Sequence, residues 1–388
     1  MTGLQAALPR EHYVDARLWR HERDAVLRRE WTCAGRLAGL GLDAAERLAV
    51  VEVHGESVLL TTDAAGVLHA HANVCRHRGA RVVPHADGDP PAPCGAKALR
   101  CRYHSWTYGL DGGLLRAPHF DTVDGFDPAG FTLAPVEVDT WGGFVFVRLL
   151  PAGAPPGPSL ESSLGDVPTR TARYPLDRLV SAHRAVYEVD ANWKVIAENY
   201  NECLHCAGVH PELTRLVPAF GHGGLAPDGG PLDWEAGIPH RDGAWTFSFS
   251  GGSPRSPFPD LDADERTRHT GELVYPNLML SLSAEHAASF LLEAVGVART
   301  RVTFDVLVAP EEAHLDVEDC AGFWDLVNRQ DWEVCASVQS GMSSAFYEKG
   351  WYGPMEDDSL DIRRWLLPRL AAHRPPGPSA PADDDRAG

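Results

Sequence analysis

Two short loops constrain this chain more than anything else in it: Cys75-Arg-His77 and Cys101-Arg-Tyr-His104 each supply one thiol and one imidazole. The eight cysteines, at 33, 75, 94, 101, 203, 206, 320 and 335, are too few in 388 residues for a disulfide scaffold, and in a reducing compartment clustered Cys with His reads as metal binding. Two thiolates and two imidazoles close a four-donor set. Such a set suits tetrahedral zinc, or a [2Fe–2S] centre with both Cys on one iron and both His on the other. Finger-type zinc sites place the two Cys together and the two His together, whereas here each loop brings one of each, which favours the cluster.

The surroundings point the same way, with Asn73 before the first loop, Arg78-Gly79-Ala80 after it, and Ser105-Trp106-Thr107-Tyr108-Gly109 after the second. Together these residues resemble the Rieske family. Two departures stand out. His77 and Cys101 are separated by 23 residues, more than is usual, and the excess, Asp87 to Ala98, reads as a Pro/Gly-rich surface insertion. Cys94 within it has no His at the required spacing and is read as structural. Neither loop carries the additional Cys of the high-potential respiratory Rieske proteins, so the resemblance is to the oxygenase or ferredoxin branch.

A second constellation lies at Glu202, His205 and His210. Five residues on a straight helix turn about 140°, so the two imidazoles converge only if the helix breaks between them. Ala207-Gly208 and Pro211 are expected to supply that break. Two His with one carboxylate and open positions is the donor set of non-haem iron(II) oxygenases. For the carboxylate, a helix expected over 317–347 offers Asp331, inside an apolar stripe of Val327, Val334, Val338 and Met342, while Glu333 aligns with the polar side. A buried carboxylate needs a metal or a base beside it, an Arg partner being the plainer alternative. Glu356, Asp357, Asp358 and Asp361 read as a solvated acidic run.

From Asn192-Trp193-Lys194 through His210-Pro211 the chain resembles the mononuclear-iron region of Rieske non-haem iron oxygenase α-subunits. The resemblance implies a Rieske [2Fe–2S] cluster on Cys75, His77, Cys101 and His104, and a mononuclear Fe(II) on His205, His210 and Asp331. It implies Glu202 as a bridge from His104 of one chain to His205 of its neighbour, with Asn199 beside it among the catalytic residues. A homotrimer follows from that bridge, as do O2 as co-substrate and electrons from a separate flavin and iron–sulfur reductase, directly or through a ferredoxin, fed by NAD(P)H. The wording Glu-Cys-Leu-His-Cys over 202–206 is most similar to the quaternary-ammonium group, in which betaines, carnitine or choline are oxidised and hydroxylation of an N-methyl group releases formaldehyde. Trp234, Trp245 and Tyr275 are expected to line such a pocket. The alternatives are dihydroxylation of an aromatic ring, and a Rieske electron-transfer or ligand-binding protein without the second iron. Cys203-x-x-Cys206 also fits a thioredoxin-like dithiol, but it sits inside the iron segment rather than after a strand, and neither sulfur is expected to be a ligand.

Thirty-five basic against 54 acidic residues give a formal charge of −19, which excludes a nucleic-acid partner on electrostatic grounds. No run of 18 apolar residues and no leader pattern is present, so no membrane partner is expected and the location expected is the cytoplasm. The fold class expected is α+β: an all-β Rieske domain inserted near the N-terminus, and a catalytic domain with an antiparallel sheet and helices, similar to a START or helix-grip fold. An opening amphipathic helix over 14–31 belongs to a segment, 1–44, expected to pack on the catalytic domain. Short β-rich runs fill 45–150, and the Pro/Gly-rich linker 151–158 opens the catalytic domain, 151–370. Alternation predicts strands through Trp245, Phe247 and Phe249 and through Val302, Phe304, Val306 and Val308. Long loops at 218–243 and 251–261 read as covers, and residues 371–388 as a disordered tail.

Overall fold

The computed structural model describes residues 4–373, apart from 121, 152, 224–232, 354–355, 357–358 and 360. Strand β1 (Gln5–Pro9) and helices α1 (Glu11–Val14) and α2 (Ala16–Ala25) open the chain, α2 being capped by the Asp15 carboxylate, which accepts from Arg17 N–H and Leu18 N–H. The β unit then runs β2 (Thr32–Arg36), β3 (Arg47–Val53), β4 (Glu56–Thr62), β5 (Leu68–Ala72), β6 (Cys94–Gly95), β7 (Leu99–Arg100), β8 (Thr107–Tyr108), β9 (Leu114–Arg116), β10 (Glu137–Trp141) and β11 (Phe144–Arg148). Its sheets are ordered β5-β4-β3-β6, β7-β8-β9 and β10-β11-β2. Period-two alternation along β3 sends Leu48 and Val50 to the core around Cys75 and Cys101, and Ala49, Val51 and Val53 to a second core shared with β11. Strand β2 belongs to this unit by pairing, although it precedes residue 45, because Thr32–Arg36 is hydrogen-bonded along β11.

After the linker come α3 (Leu160–Leu164), α4 (Val167–Arg170), β12 (Val180–Val189), α5 (Trp193–Tyr200), α6 (Cys206–Val209) and α7 (Pro211–Leu216). They are followed by β13 (Ile238–Pro239), β14 (Arg268–Val274), β15 (Leu278–Leu282), β16 (His286–Gly296), β17 (Arg299–Val308), the 25-residue α8 (Glu318–Met342), β18 (Lys349–Tyr352) and α9 (Asp361–Ala372). Strands β12 to β17 form one antiparallel sheet in the order β12-β17-β16-β15-β14-β13. Cross-strand neighbours Met279, Phe290 and Phe304 face the core under α5 and α8, while Leu278, Leu280 and Leu307 face a second core that includes Phe144 and Phe146 of β11. The sheet is thus buried on both faces, and its second face welds the two units together.

Three expectations are corrected. No strand runs through 245–249: the alternate polar residues Thr246 and Ser248 are buried rather than solvated, and their hydroxyls are spent on Glu285 and on the carbonyl of Gly252, so the segment curls back with Trp245 N–H on Gly251 C=O at 2.8 Å. The inward stripe of α8 runs through Val327, Asp331, Cys335, Gln339 and Met342, with Val338 40% exposed: each four-residue step advances about 40° round the helix, so the buried face drifts from Val327 toward Cys335 and Gln339 and away from the line of Val334 and Val338. The helix expected to 347 ends at Met342. From residue 374 on, the expected tail lies outside the described residues, and α9 runs to Ala372.

The N-terminal segment is keyed to α5 by buried charge. Lys194 and Glu22 are both 0% exposed, with Nζ at 2.9 and 3.0 Å from the two carboxylate oxygens, and Trp193 Nε1 donates to the same carboxylate at 2.9 Å. Replacing Lys194 by Met leaves that carboxylate buried without its cation, so denaturant unfolding of K194M should show a loss of about 3–5 kcal/mol. One turn along, Glu198 accepts from the hydroxyls of Tyr13 and Tyr352, each at 2.6 Å. Burial pushes its carboxyl up to about 7 despite those two bonds. A raised carboxyl stabilises the fold below its unfolded pKa and loses that contribution as pH rises through the folded one. Between about pH 4.5 and pH 8 the wild type should therefore lose about 3 kcal/mol relative to E198Q, read from paired denaturation curves.

Candidate functional site

The two N-terminal loops are built alike. In one, Cys75 N–H donates to Ala80 C=O and Gly79 N–H to Cys75 C=O; in the other, Cys101 N–H donates to Trp106 C=O and Ser105 N–H to Cys101 C=O. The fourth residue after each Cys takes positive φ, 76° at Gly79 and 60° at Ser105. These twin turns bury the two thiols, 3% and 2% exposed, and carry His77 and His104 outward with ring centroids 4.6 Å apart. His77 stacks on Trp106 at 5.0 Å and 4°, and its Nδ1 is buried with no hydrogen-bond partner. The Tyr108 hydroxyl lies 3.2 Å from Cys75 Sγ. Two facing thiols, two adjacent imidazoles and an orphaned ring nitrogen fit a [2Fe–2S] cluster, and a hydroxyl donating to a cysteine sulfur is a lever on its potential. Cys94 is exposed, in a two-residue strand on the edge of another sheet.

The second site lies between the sheet and α8. Asn192 caps α5 by accepting from Lys194 N–H at 3.0 Å, and α5 ends at Tyr200, so Glu202 and His205 share a turn rather than a helix face. The break between the imidazoles falls at His210 itself, φ −120° and ψ 69°, and not at Gly208, which lies inside α6. Pro211 explains this: it disfavours helical geometry in the residue before it and starts α7 as its first residue.

His205 Nε2 and His210 Nε2 then lie 3.3 and 3.0 Å from Asp331 Oδ1, and the three donor atoms are all within 4.8 Å of one another. The outward nitrogens are fixed as well. His205 Nδ1 is 2.6 Å from Glu202 Oε1, and His210 Nδ1 is 2.8 Å from Gln330 Oε1, whose amide in turn donates to Glu212 at 3.2 Å. Glu202 also accepts from Leu204 N–H, and Asn199 Nδ2 sits 3.3 Å from His205 Nε2. Burial works against charge on His205, but its bonds to Asp331, Cys206 and Glu202 outweigh that and push it up to about 12. Burial likewise opposes ionisation of Asp331, and the two imidazoles overcome it and hold its carboxyl low. This is a site that demands positive charge, which a divalent metal at the meeting point of the three donors supplies in place of the imidazole protons.

Around the donors is a cavity of about 330 Å³, walled by Phe247, His269, Phe290, Trp324 and Asn328 and reaching Trp234 and Tyr275. Trp245, expected here, packs instead against the second sheet core. Phe247, Phe290 and Trp324 went unrecognised in the sequence, since they come from three separate elements and share no spacing. Cys203 and Cys206 also line the cavity, with their sulfurs 2.6 Å apart. Glu356 and Asp361 lie outside the donor cluster; 357 and 358 are not among the described residues. Among the described residues no helix is long and apolar enough to cross a membrane.

Residues 30–127 match the Rieske [2Fe–2S] domain model, and 176–372, just over half of the chain, match the ring-hydroxylating alpha subunit (catalytic domain) model. The glycine betaine monooxygenase oxygenase subunit of Chromohalobacter salexigens is 29% identical over 412 residues, covering 95% of this chain and 88% of that one. The carnitine monooxygenase oxygenase subunit of Escherichia coli is 26% identical, covering 88% and 85%. Among solved structures, the quaternary ammonium Rieske monooxygenase CntA with L-carnitine superposes with a TM-score of 0.70 at 24% identity, covering 94% of this chain and 96% of that one. Naphthalene 1,2-dioxygenase from Rhodococcus superposes at 0.71 with 20% identity and 95% of each chain covered, so the fold is shared across both chemistries. With twin Cys/His loops on a Rieske domain and a three-donor site in the matched catalytic domain, the chain belongs to the ring-hydroxylating alpha-subunit family, oxygenases that work with a Rieske cluster, a mononuclear iron and a separate reductase.

Proposed function

We propose that this oxygenase hydroxylates an N-methyl group of a quaternary ammonium compound, with Cys75, His77, Cys101 and His104 holding the cluster and His205, His210 and Asp331 holding the iron. The convergence of three donor atoms at the base of an aromatic-walled cavity carries the reading. Rings of Phe247, Phe290 and Trp324 offer π-faces to a cation, as a quaternary ammonium requires, and relatives at 26–29% identity are named for glycine betaine and carnitine. When bound, the cluster supplies single electrons and the iron supplies O2 activation at positions the protein donors leave open. The chain's own residues set the geometry: Glu202 and Gln330 hold the outward nitrogens of His205 and His210, so that both Nε2 atoms face Asp331. Formaldehyde release and O2 uptake, with a flavin and iron–sulfur reductase, NADH and a quaternary ammonium substrate, test the reading; diol formation from an arene with no formaldehyde overturns it.

The Rieske histidines open onto a shallow face formed with Pro118, His119 and Phe120, which shares no lining residue with the cavity containing Glu202. This supports a bridge made between chains, Glu202 joining its own His205 to a neighbour's His104 in a head-to-tail homotrimer of the cytoplasm. Leu204, 46% exposed beside Glu202, and Tyr103, 57% exposed beside His104, are apolar surface that such a contact covers.

Two variants separate these roles. In D331A, iron analysis should show loss of the mononuclear iron alone, with the acid-labile sulfide and the EPR signal of the reduced cluster retained. E202Q should keep both centres, yet lose about 10–100-fold in turnover while sedimenting as the wild-type trimer.

A further inference from the structure

Along one wall of the cavity, α8 presents Asp331, Asn328 and Trp324. Steps of three and seven residues keep them within about 60° and 20° of one line and place Asn328 about 4.5 Å, and Trp324 about 10 Å, along the axis from Asp331. Asn328 is 2% exposed, and its amide nitrogen has no formed hydrogen bond. It is turned toward the Tyr187 hydroxyl, whose own proton goes to Asp325 at 2.7 Å. An amide NH2 carries two donors, so at least one is left for a ligand.

Trp324 closes the wall and is held from behind. Its Nε1–H donates to His286 Nε2 at 3.0 Å, and His286 Nδ1 meets Glu285 at 3.0 Å; the Thr246 hydroxyl donates to the same carboxylate at 2.6 Å. An indole N–H can only donate, so His286 Nε2 is the acceptor and the imidazole proton is on Nδ1. Every member of this chain is at most 5% exposed. The indole is also stacked on Phe247 at 4.9 Å and 10°, which leaves it no freedom to swing aside.

Charge completes the case. Among the described lining residues there is no Lys, and the one Arg, Arg170, is bound through two nitrogens to Glu272 at 2.7 and 2.6 Å. Burial lowers His269 to about 3 and keeps it neutral. A carboxylate beyond the reacting carbon would be desolvated against neutral partners. A hydroxyl both donates and accepts, so it satisfies either end of the Asn328 amide. Resting on the quaternary ammonium reading, we propose that the substrate is a short alkylammonium with an uncharged hydroxyl tail, bound by Asn328 and limited in length by Trp324.

Calorimetric titration of the metal-loaded protein with choline, glycine betaine, carnitine and tetramethylammonium tests this. Choline is expected to bind at least about tenfold tighter than either zwitterion. N328L should weaken choline about fivefold, one hydrogen bond, and leave tetramethylammonium, which has no hydroxyl, unchanged. N328S, which keeps a hydroxyl at the position, should weaken choline less, and W324A should admit a hydroxyalkyl chain longer by two or three carbons, roughly the lost indole's reach. Glycine betaine binding as tightly as choline overturns the tail assignment alone, as does N328L weakening both cations equally. Binding of none of the four overturns the quaternary ammonium reading as well.

Discussion

Much of the catalytic half is arranged around one electrostatic demand, a carboxylate on the inward face of α8. Asp331 is 18% exposed and follows Val327 at one helical turn, and an ion there is stable only with positive charge at hand. That charge cannot come from α8, whose neighbouring inward residues are Asn328, Cys335 and Gln339. It comes from His205 and His210, which must therefore be delivered from elsewhere in the chain to within 3.3 Å. The interruption at His210 allows this, because an unbroken helix would turn the second imidazole away.

Delivery depends on where α5 ends, and α5 is anchored at both ends of its length. Its first turn is capped by Asn192, whose amide also donates to Val297 C=O at 2.6 Å, and whose N–H donates to Gln339 Oε1 of α8 at 2.9 Å. Lys194 and Trp193 key it to Glu22, and Glu198 ties it to Tyr13 and Tyr352. The opening segment and the strand after α8 thus act on the donor set through α5 without touching it. A buried ion pair is a poor source of net stability, but it fixes one arrangement among several; here it fixes α5 against α2, while the bond from Asn192 N–H to Gln339 ties α5 to α8.

What was legible in the sequence followed from local rules. The twin loops are short, their glycine and serine turns are encoded within five residues, and their donor types have few alternative uses, so the first site could be read from order alone. The β unit and the late helix follow from period two and period 3.6. Asp331 was picked out by periodicity even though Val334 and Val338 misplaced the stripe, because Val327 and Met342 flank the inward face in either register. The reading failed where tertiary partners decide. Trp245, Phe247 and Phe249 alternate as a strand does, but Thr246 finds a buried partner in the distant Glu285 and Ser248 turns back onto Gly252 C=O, and that turns a strand pattern into a curled segment whose Phe247 lines the cavity. Of the two signals for a break between the imidazoles, Gly208 only permits a bend and stays helical, whereas Pro211 disfavours the helix in its predecessor and sets the break at His210.

The cavity itself was the least legible feature, and for a physical reason. A metal site needs a few donor types that chemistry makes rare, whereas an apolar cavity is assembled from residues that elsewhere are simply core. Phe290 of β16 and Phe304 of β17 are cross-strand partners on one sheet face, yet Phe290 lines the cavity and Phe304 packs beside it. One wall ring, that of Trp324, differs from the core rings in having polar support behind it. Trp324 is backed by a fully buried run of His286, Glu285 and Thr246, an expensive arrangement in a core where apolar contacts would hold an indole at lower cost. Buried polar groups that end on the edge of one aromatic ring therefore mark that ring as a surface whose orientation matters, and His286 and Thr246, 40 residues apart, could be joined to it only by the fold.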